Sequence, residues 1–259
     1  MPHIHIPKPL HGWRALLGEI GVIMVGVLLA LGAEQLIEQV HFRHQRHASI
    51  EAMGRELTED DGFIANGRFE ISRCIEDRLS AVADAVAKDA PPAEVARLAD
   101  AYHVPPATFD DEAWQAANQS GALLHAGKDA TLEWADHYNV VAVLDRLIDH
   151  ERSAVGPLRA IRQNSAALDP VERQAILTAV GALREDNRLI TSASATFLQG
   201  LMQMGYRTPE AMVLAEQQAT HDVYGDCAVP SLTASDLARR PFPDDPFVAR
   251  MRAIQNATH

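Results

Sequence analysis

Three histidines at intervals of three, His41, His44 and His47, follow Glu38 in a stretch free of proline. Imidazoles on neighbouring helical turns can hold zinc, but the effective spacing is i, i+4, whereas three followed by three drifts around the helix, and no fourth ligand stands nearby. The expected role of this run is a polar face, with a small-ligand or metal-binding bundle as the alternative. His3, His5 and His11 belong by the same argument to a solvated tail, and His125, His137, His150 and His221 are scattered. Adjacent carboxyls at Asp60-Asp61, Asp110-Asp111 and Asp244-Asp245 could serve general acid–base chemistry, yet at helix starts and in loops capping and solubility account for them. Trp114, Trp134 and Tyr138 could line a ligand pocket, but Trp134 and Tyr138 are i, i+4 neighbours, the spacing of bundle packing. No Gly-x-Ser-x-Gly elbow, phosphate-cradling glycine loop or Cys-x-x-Cys pair occurs, so neither catalysis nor a cofactor or metal site is expected. The two cysteines, Cys74 and Cys227, allow one disulfide outside the cytoplasm or two buried thiols inside it.

Composition narrows the partners. In 259 residues, 35 acidic side chains against 23 Lys and Arg give a formal charge of −12, which argues against a nucleic-acid binder, because phosphate contacts need an extended basic face. The apolar side chains concentrate near the start. Ile20 to Ala33 carries no charge and is apolar on every helical face, unlike an amphipathic surface helix. Extended from Ala15 to Ile37 it would be about 34 Å long, enough for the ~30 Å hydrocarbon layer with Glu19 and Glu34 near the interfaces. Trp13 and Arg14 supply an interfacial aromatic and a cytoplasmic positive charge, with Lys8 further out, so the N-terminus is expected inside and the remainder outside. Ala30-Leu31-Gly32 resembles a signal-peptidase site, but Glu19 and the helix-favouring residues after Glu34 favour an uncut anchor over a cleaved signal or a soluble core helix. Gly26 and Ala30 form a small-xxx-small pair through which two such helices could pack, giving a possible homo-oligomer. Glu19, an intramembrane carboxylate near the cytoplasmic edge, is expected to snorkel or pair with Arg14.

The run from Gly12 to Leu31, with its Gly18-Glu19-Ile20 and its Val-Gly-x-Leu-x-Ala-Leu ending, resembles the anchor of an uncharacterised group of bacterial single-pass membrane proteins. Trp114 followed by Ser120-Gly121-Ala122-Leu123, then Trp134 and Tyr138, resembles a segment of their extracytoplasmic helical domains. The resemblance covers about a fifth of the chain. It implies a bacterial inner-membrane protein with a periplasmic helical domain, and it transfers no catalytic residue.

The elements that follow are expected to be helical throughout. The anticipated organisation is a cytoplasmic tail (1–12), a transmembrane helix (13–37), a juxtamembrane helix (38–62), a helical bundle (63–225) and a proline-rich tail (226–259) with a short helix near 247–254. Asp60, Asp61 and Gly62 should weaken the first long helix. Apolar residues then recur every three or four positions from Phe63 to about Lys88, where Pro91-Pro92 end the pattern. Further helices are expected over 93–102, from Asp110 to Gly127, from Lys128 with an interruption at Pro157, from Asp169-Pro170 to about Gly205, and from Thr208-Pro209 to Tyr224. Thr191, Ser192, Ser194, Thr196, Gln199 and Gln203 make 189–206 too polar for a second span, placing it inside the bundle. No period-two alternation appears, so the fold class is all-α: a transmembrane helix followed by an antiparallel bundle.

Overall fold

The computed structural model describes residues 12–102, 107–161 and 168–228. Outside them lie Lys8, the tail histidines, Pro105-Pro106, Asp244-Asp245 and the expected terminal helix. The protein is all-α, with no strand among the described residues.

Helix α1 runs unbroken from Trp13 to Arg55, 43 residues that join the apolar stretch to the bundle without a hinge. No proline interrupts it, and the Gln, Glu, Arg, His and Ala residues beyond position 33 sustain it. Where Asp60-Asp61-Gly62 was expected to weaken the helix, the chain widens into a π-helical turn, Glu56–Asp60, and continues directly as α2, Asp61–Ala87. Then α3 (Pro92–Ala101) packs beside α2. The single helix expected over 110–127 is instead α4, Glu112–Gln119, and a separate 3₁₀ turn, Ala122–His125. Gly121, at φ 73°, takes the left-handed conformation that ends α4, a conformation costly for residues with a Cβ.

Helix α5 covers Lys128–Ala154, and α6 (Gly156–Ile161) restarts around Pro157 as the sequence predicts. Helix α7, Pro170–Gln203, opens with a capping box: the Glu172 amide donates to Asp169 Oδ1 at 2.8 Å, and the Asp169 amide donates to Glu172 Oε2 at 2.9 Å. Helix α8 spans Glu210–Tyr224 and ends in a 3₁₀ turn, Gly225–Cys227. The Thr208 hydroxyl does not cap it; the residue instead accepts a hydrogen bond from Asn66.

Cross-helix contacts give the directions. α7 runs antiparallel to α2, since Asn187 reaches Ser72 and Arg173 reaches Asp89, and antiparallel to α5, since His150 reaches Asp186 and His137 borders Gly200. α4 climbs back along α1, from Ala113 at Glu56 to Ser120 at Gln45. The interior divides into two apolar clusters. One, nearer the apolar end of α1, holds Met53, Leu57, Trp134, Leu144, Ile190 and Phe197; the other holds Ile71, Ile75, Leu79, Val82, Leu158 and Leu183. The polar stretch of α7 is only partly inside: Ser192, Ser194, Ala195 and Phe197 are buried, whereas Thr196 and Gln203 are exposed.

Candidate functional site

Two features of this scaffold carry physical chemistry beyond packing: the bare first half of α1 and the polar groups buried between the helices. From Leu17 to Val40 the side chains of α1 meet almost nothing. Val22 is 74% exposed and Ile37 71% exposed, and none of its most apolar 18-residue window, of mean hydropathy 2.1, is buried within the molecule. A soluble core helix of this composition would be covered by its neighbours. Glu19, Gly26 and Ala30 all lie on this uncovered segment, and a Cβ added at Gly26 would meet no atom within 4 Å, so its surface is open to a second helix. It is the one helix among the described residues long and apolar enough to cross a membrane.

The buried polar groups begin at the π-helical turn. The extra residue in that turn places Glu56 and Asp61, five apart, on the same inward side, whereas a regular helix would rotate one of them away. Glu56 accepts hydrogen bonds from the Tyr138 hydroxyl at 2.6 Å and from the Ala113 amide at 2.8 Å. Asp61 is completely buried; its Oδ1 accepts from the Asp110 amide at 3.0 Å, and its Oδ2 has no partner among the described residues. Burial pushes the Asp61 carboxyl up to about 8, the Asp110 amide opposing the shift and the charges of Glu56, Asp110 and Asp60 adding to it. The reading of Asp60-Asp61 as a solvated capping pair is therefore corrected for Asp61: sequence spacing alone does not reveal that a π turn rolls this residue inward. Tyr138 is likewise raised, by burial and by its bond to Glu56. Trp114 stacks on Tyr138 with ring centroids 5.2 Å apart, and Trp134 meets Tyr206 edge-on at 5.3 Å, so these aromatic residues pack against one another.

A second polar layer lies between the two apolar clusters. Arg68 donates to Glu151 at 2.9 Å with both side chains nearly inaccessible, and Tyr102 reaches the same carboxylate at 3.5 Å. Replacing one partner of such a pair leaves a buried charge uncompensated, whereas replacing both by apolar residues of similar volume is often neutral. Beside it His150 meets the buried Asp186 at 2.8 Å, and Asn187 donates to the Ser72 carbonyl at 2.9 Å.

The helical glycines of α1 and α2 show why the α7–α8 connection sits tight against the π turn. A Cβ at Gly54 would collide with the Tyr206 ring, and one at Gly62 would strike the Thr208 hydroxyl and press on the Leu57 carbonyl. Gly62→Ala is expected to destabilise the bundle by about 1–3 kcal/mol, an overpacking cost measurable by urea unfolding, whereas Gly26→Ala should leave the urea midpoint unchanged.

The remaining sequence candidates fall into place around these two features. His41, His44 and His47 are exposed along α1, and no group of three or more potential metal ligands assembles among the described residues. Cys74 and Cys227 form a disulfide, with Cα atoms 5.3 Å apart, tying the end of α8 to α2. No family model matches this chain, and no curated protein or solved structure matches it either.

Proposed function

We propose that this chain is a single-pass, membrane-anchored helical protein whose bundle stands outside the cytoplasm of a bacterial cell and acts as an interaction, scaffold or sensing body without catalysis. The observation that carries this reading is the abrupt change along α1. Its apolar half, Leu17 to Val40, is uncovered by the other described residues, and the same helix buries Met53 fully in the bundle, with Leu57 buried in the π turn that continues it. A helix uncovered over about 35 Å, with Ile20–Ala33 apolar on all sides within it, requires a low-dielectric surrounding that the other described residues do not provide. The Cys74–Cys227 bond supports an oxidising location for the bundle, and Trp13 at the far end of the rod suits an interface. The likeness of the Gly12–Leu31 run to bacterial anchors points the same way. The buried Glu56, Asp61 and Tyr138 are closed off from any reactant, which favours a structural use for them.

Expressed in a Gram-negative bacterium, the intact chain should remain with membranes through carbonate washing, enter solution with detergent, and keep its uncleaved mass. Protease added to the periplasm should remove the bulk of it. Recovery as a monodisperse particle without detergent, or a mass shortened at Gly32, would overturn the proposal.

A further inference from the structure

Between Glu38 and Glu51 the helix carries twelve residues with no acid, and within them stand Arg43, Arg46 and three histidines. In a chain of net charge −12 such a run needs a reason, and packing within the bundle gives one for Arg46 alone, since Arg43 and the three histidines are exposed and Arg46, also exposed, bonds only the 122–125 turn. The run begins where the uncovered apolar surface ends.

One part of the bundle reaches up to this level. The 3₁₀ turn Ala122–His125 is docked on α1: the His125 ring stacks on Phe42 at 4.2 Å, Arg46 donates to the His125 carbonyl at 3.2 Å, and Gln45 donates to the Ser120 carbonyl at 3.2 Å. Between turn and helix lies a groove lined by Glu38, Gln39, Phe42, Arg43, Arg46 and His125. Its charged walls are two arginines against one glutamate. At the crest of the turn Leu124 is 84% exposed, the most exposed large apolar side chain among the described residues, and Lys128 follows it. The α7–α8 connection, packed at Gly54, lies a dozen residues, or about 18 Å, further along α1, so the α4–α5 turn is the closer of the two to the apolar rod.

Resting on the membrane-anchor reading, we infer that this collar is a second membrane contact, in which the groove between α1 and the 122–125 turn holds the phosphate of an anionic phospholipid headgroup and Leu124 enters the interface. The geometry matches. Phe42 lies five residues beyond Ile37, about 8 Å along the helix, and the headgroup layer outside the hydrocarbon is about 5–8 Å thick on each side. The guanidinium forks of Arg43 and Arg46 suit phosphate oxygens, and an apolar tip beside basic residues is the composition that settles at a bilayer surface. Docked in this way, the turn would fix the tilt and rotation of the bundle relative to the bilayer, which a single helix alone leaves free.

The test uses the full chain with its native disulfide, in nanodiscs of phosphatidylcholine with or without phosphatidylglycerol. Because Cys74 and Cys227 are bonded, Leu124→Cys provides one reactive thiol for an environment-sensitive fluorophore, and Val171→Cys, 76% exposed at the start of α7 near the far end of α2, serves as the distal control. The label at 124 should shift to the blue and be quenched by shallow spin-labelled lipid, and the label at 171 should not. Spin-labelled phosphatidylglycerol should be selected over phosphatidylcholine, with that preference falling about fivefold for each arginine replaced in Arg43→Gln and Arg46→Gln. Equal, unquenched signals at 124 and 171 in discs that do hold the protein, or an unchanged lipid preference in the arginine variants, would overturn the collar while leaving the anchor intact. A chain that does not enter the discs at all would overturn both.

Discussion

Reduction of the Cys74–Cys227 bond lowers the stability of the bundle by roughly 5 kcal/mol and frees the end of α8 first. The bond closes a loop with a sequence separation of 153, and in the chain-entropy account the cost of closing a loop grows with the logarithm of its length, which puts this bridge near the upper end of the usual range. The effect is concentrated at one place because α8 is the least deeply held of the long helices. Its buried side chains among the described residues are Glu216, Thr220 and Tyr224; the Thr220 hydroxyl bonds Glu216 within α8 itself, and the contact that reaches α2 is Tyr224 packed under the Arg78 guanidinium, 4.6 Å from the ring centre. Helix α7, by contrast, buries fourteen residues against α2 and α5. Native-state hydrogen exchange on the Cys74→Ala/Cys227→Ala variant should therefore show α8 amides losing protection well before those of α7, together with a fall in the urea midpoint. Equal loss across both helices, or an unchanged midpoint, would contradict this account.

The course of the helices is legible in the sequence where local chemistry decides it. Asp169-Pro170 with Glu172 sets the start of α7, Pro91-Pro92 separate α2 from α3, and the three-and-four spacing marks the buried stripe of α2 from Ile71 to Val86, whereas Phe63, read as part of the same stripe, is exposed. Helical periodicity does not carry the departures from 3.6 residues per turn. Asp60-Asp61-Gly62 reads as a weak point, and the chain widens one turn there instead of breaking, with Glu56 and Asp61 accepting from amides at the first turn of α4 and just before it. The signal available for that outcome is slight: a glutamate and an aspartate five apart, a spacing that faces one side only in a π turn. Gly121 shows the same limit. A Ser-Gly pair inside a polar helical pattern is compatible with continuation, and its left-handed turn becomes necessary only once the following residues dock against Phe42. The polar layer of Arg68, Glu151, Asp186 and Asn187 was invisible for a related reason. Each residue looks like an ordinary charged or amide position on a helix surface until α2, α5 and α7 are brought together and the four converge between two apolar clusters.

The bundle should also lose stability as the medium becomes more alkaline, and Asp61 is the cause. Its folded-state value of about 8 lies above the ordinary 3.8, so the folded chain holds a proton that the unfolded chain gives up. Between those two values the folded form binds more protons, and the linkage relation then makes stability fall with rising pH. The sign is opposite to that of a salt-bridged carboxylate: the contribution is fully present below pH 3.8 and is lost as pH rises through about 8. At pH 7 the cost of protonating Asp61 on folding is on the order of 4 kcal/mol. Asp61→Asn removes that cost while its amide oxygen can still accept from the Asp110 amide, and the partnerless Oδ2 position exchanges one unpaired polar group for another. The substitution should thus stabilise the bundle by about 3 kcal/mol at neutral pH and flatten the slope of stability between pH 5 and 8. Urea titrations at several pH values compare the two proteins directly. Glu56→Gln provides the contrast: it loses a carboxylate that holds the Tyr138 hydroxyl and the Ala113 amide, and it should destabilise by about 1–2 kcal/mol while leaving most of the slope in place. If Asp61→Asn proved destabilising, or kept the full alkaline slope, the proton would have to be held elsewhere, and the inward roll of the π turn would no longer explain the response of the bundle to pH.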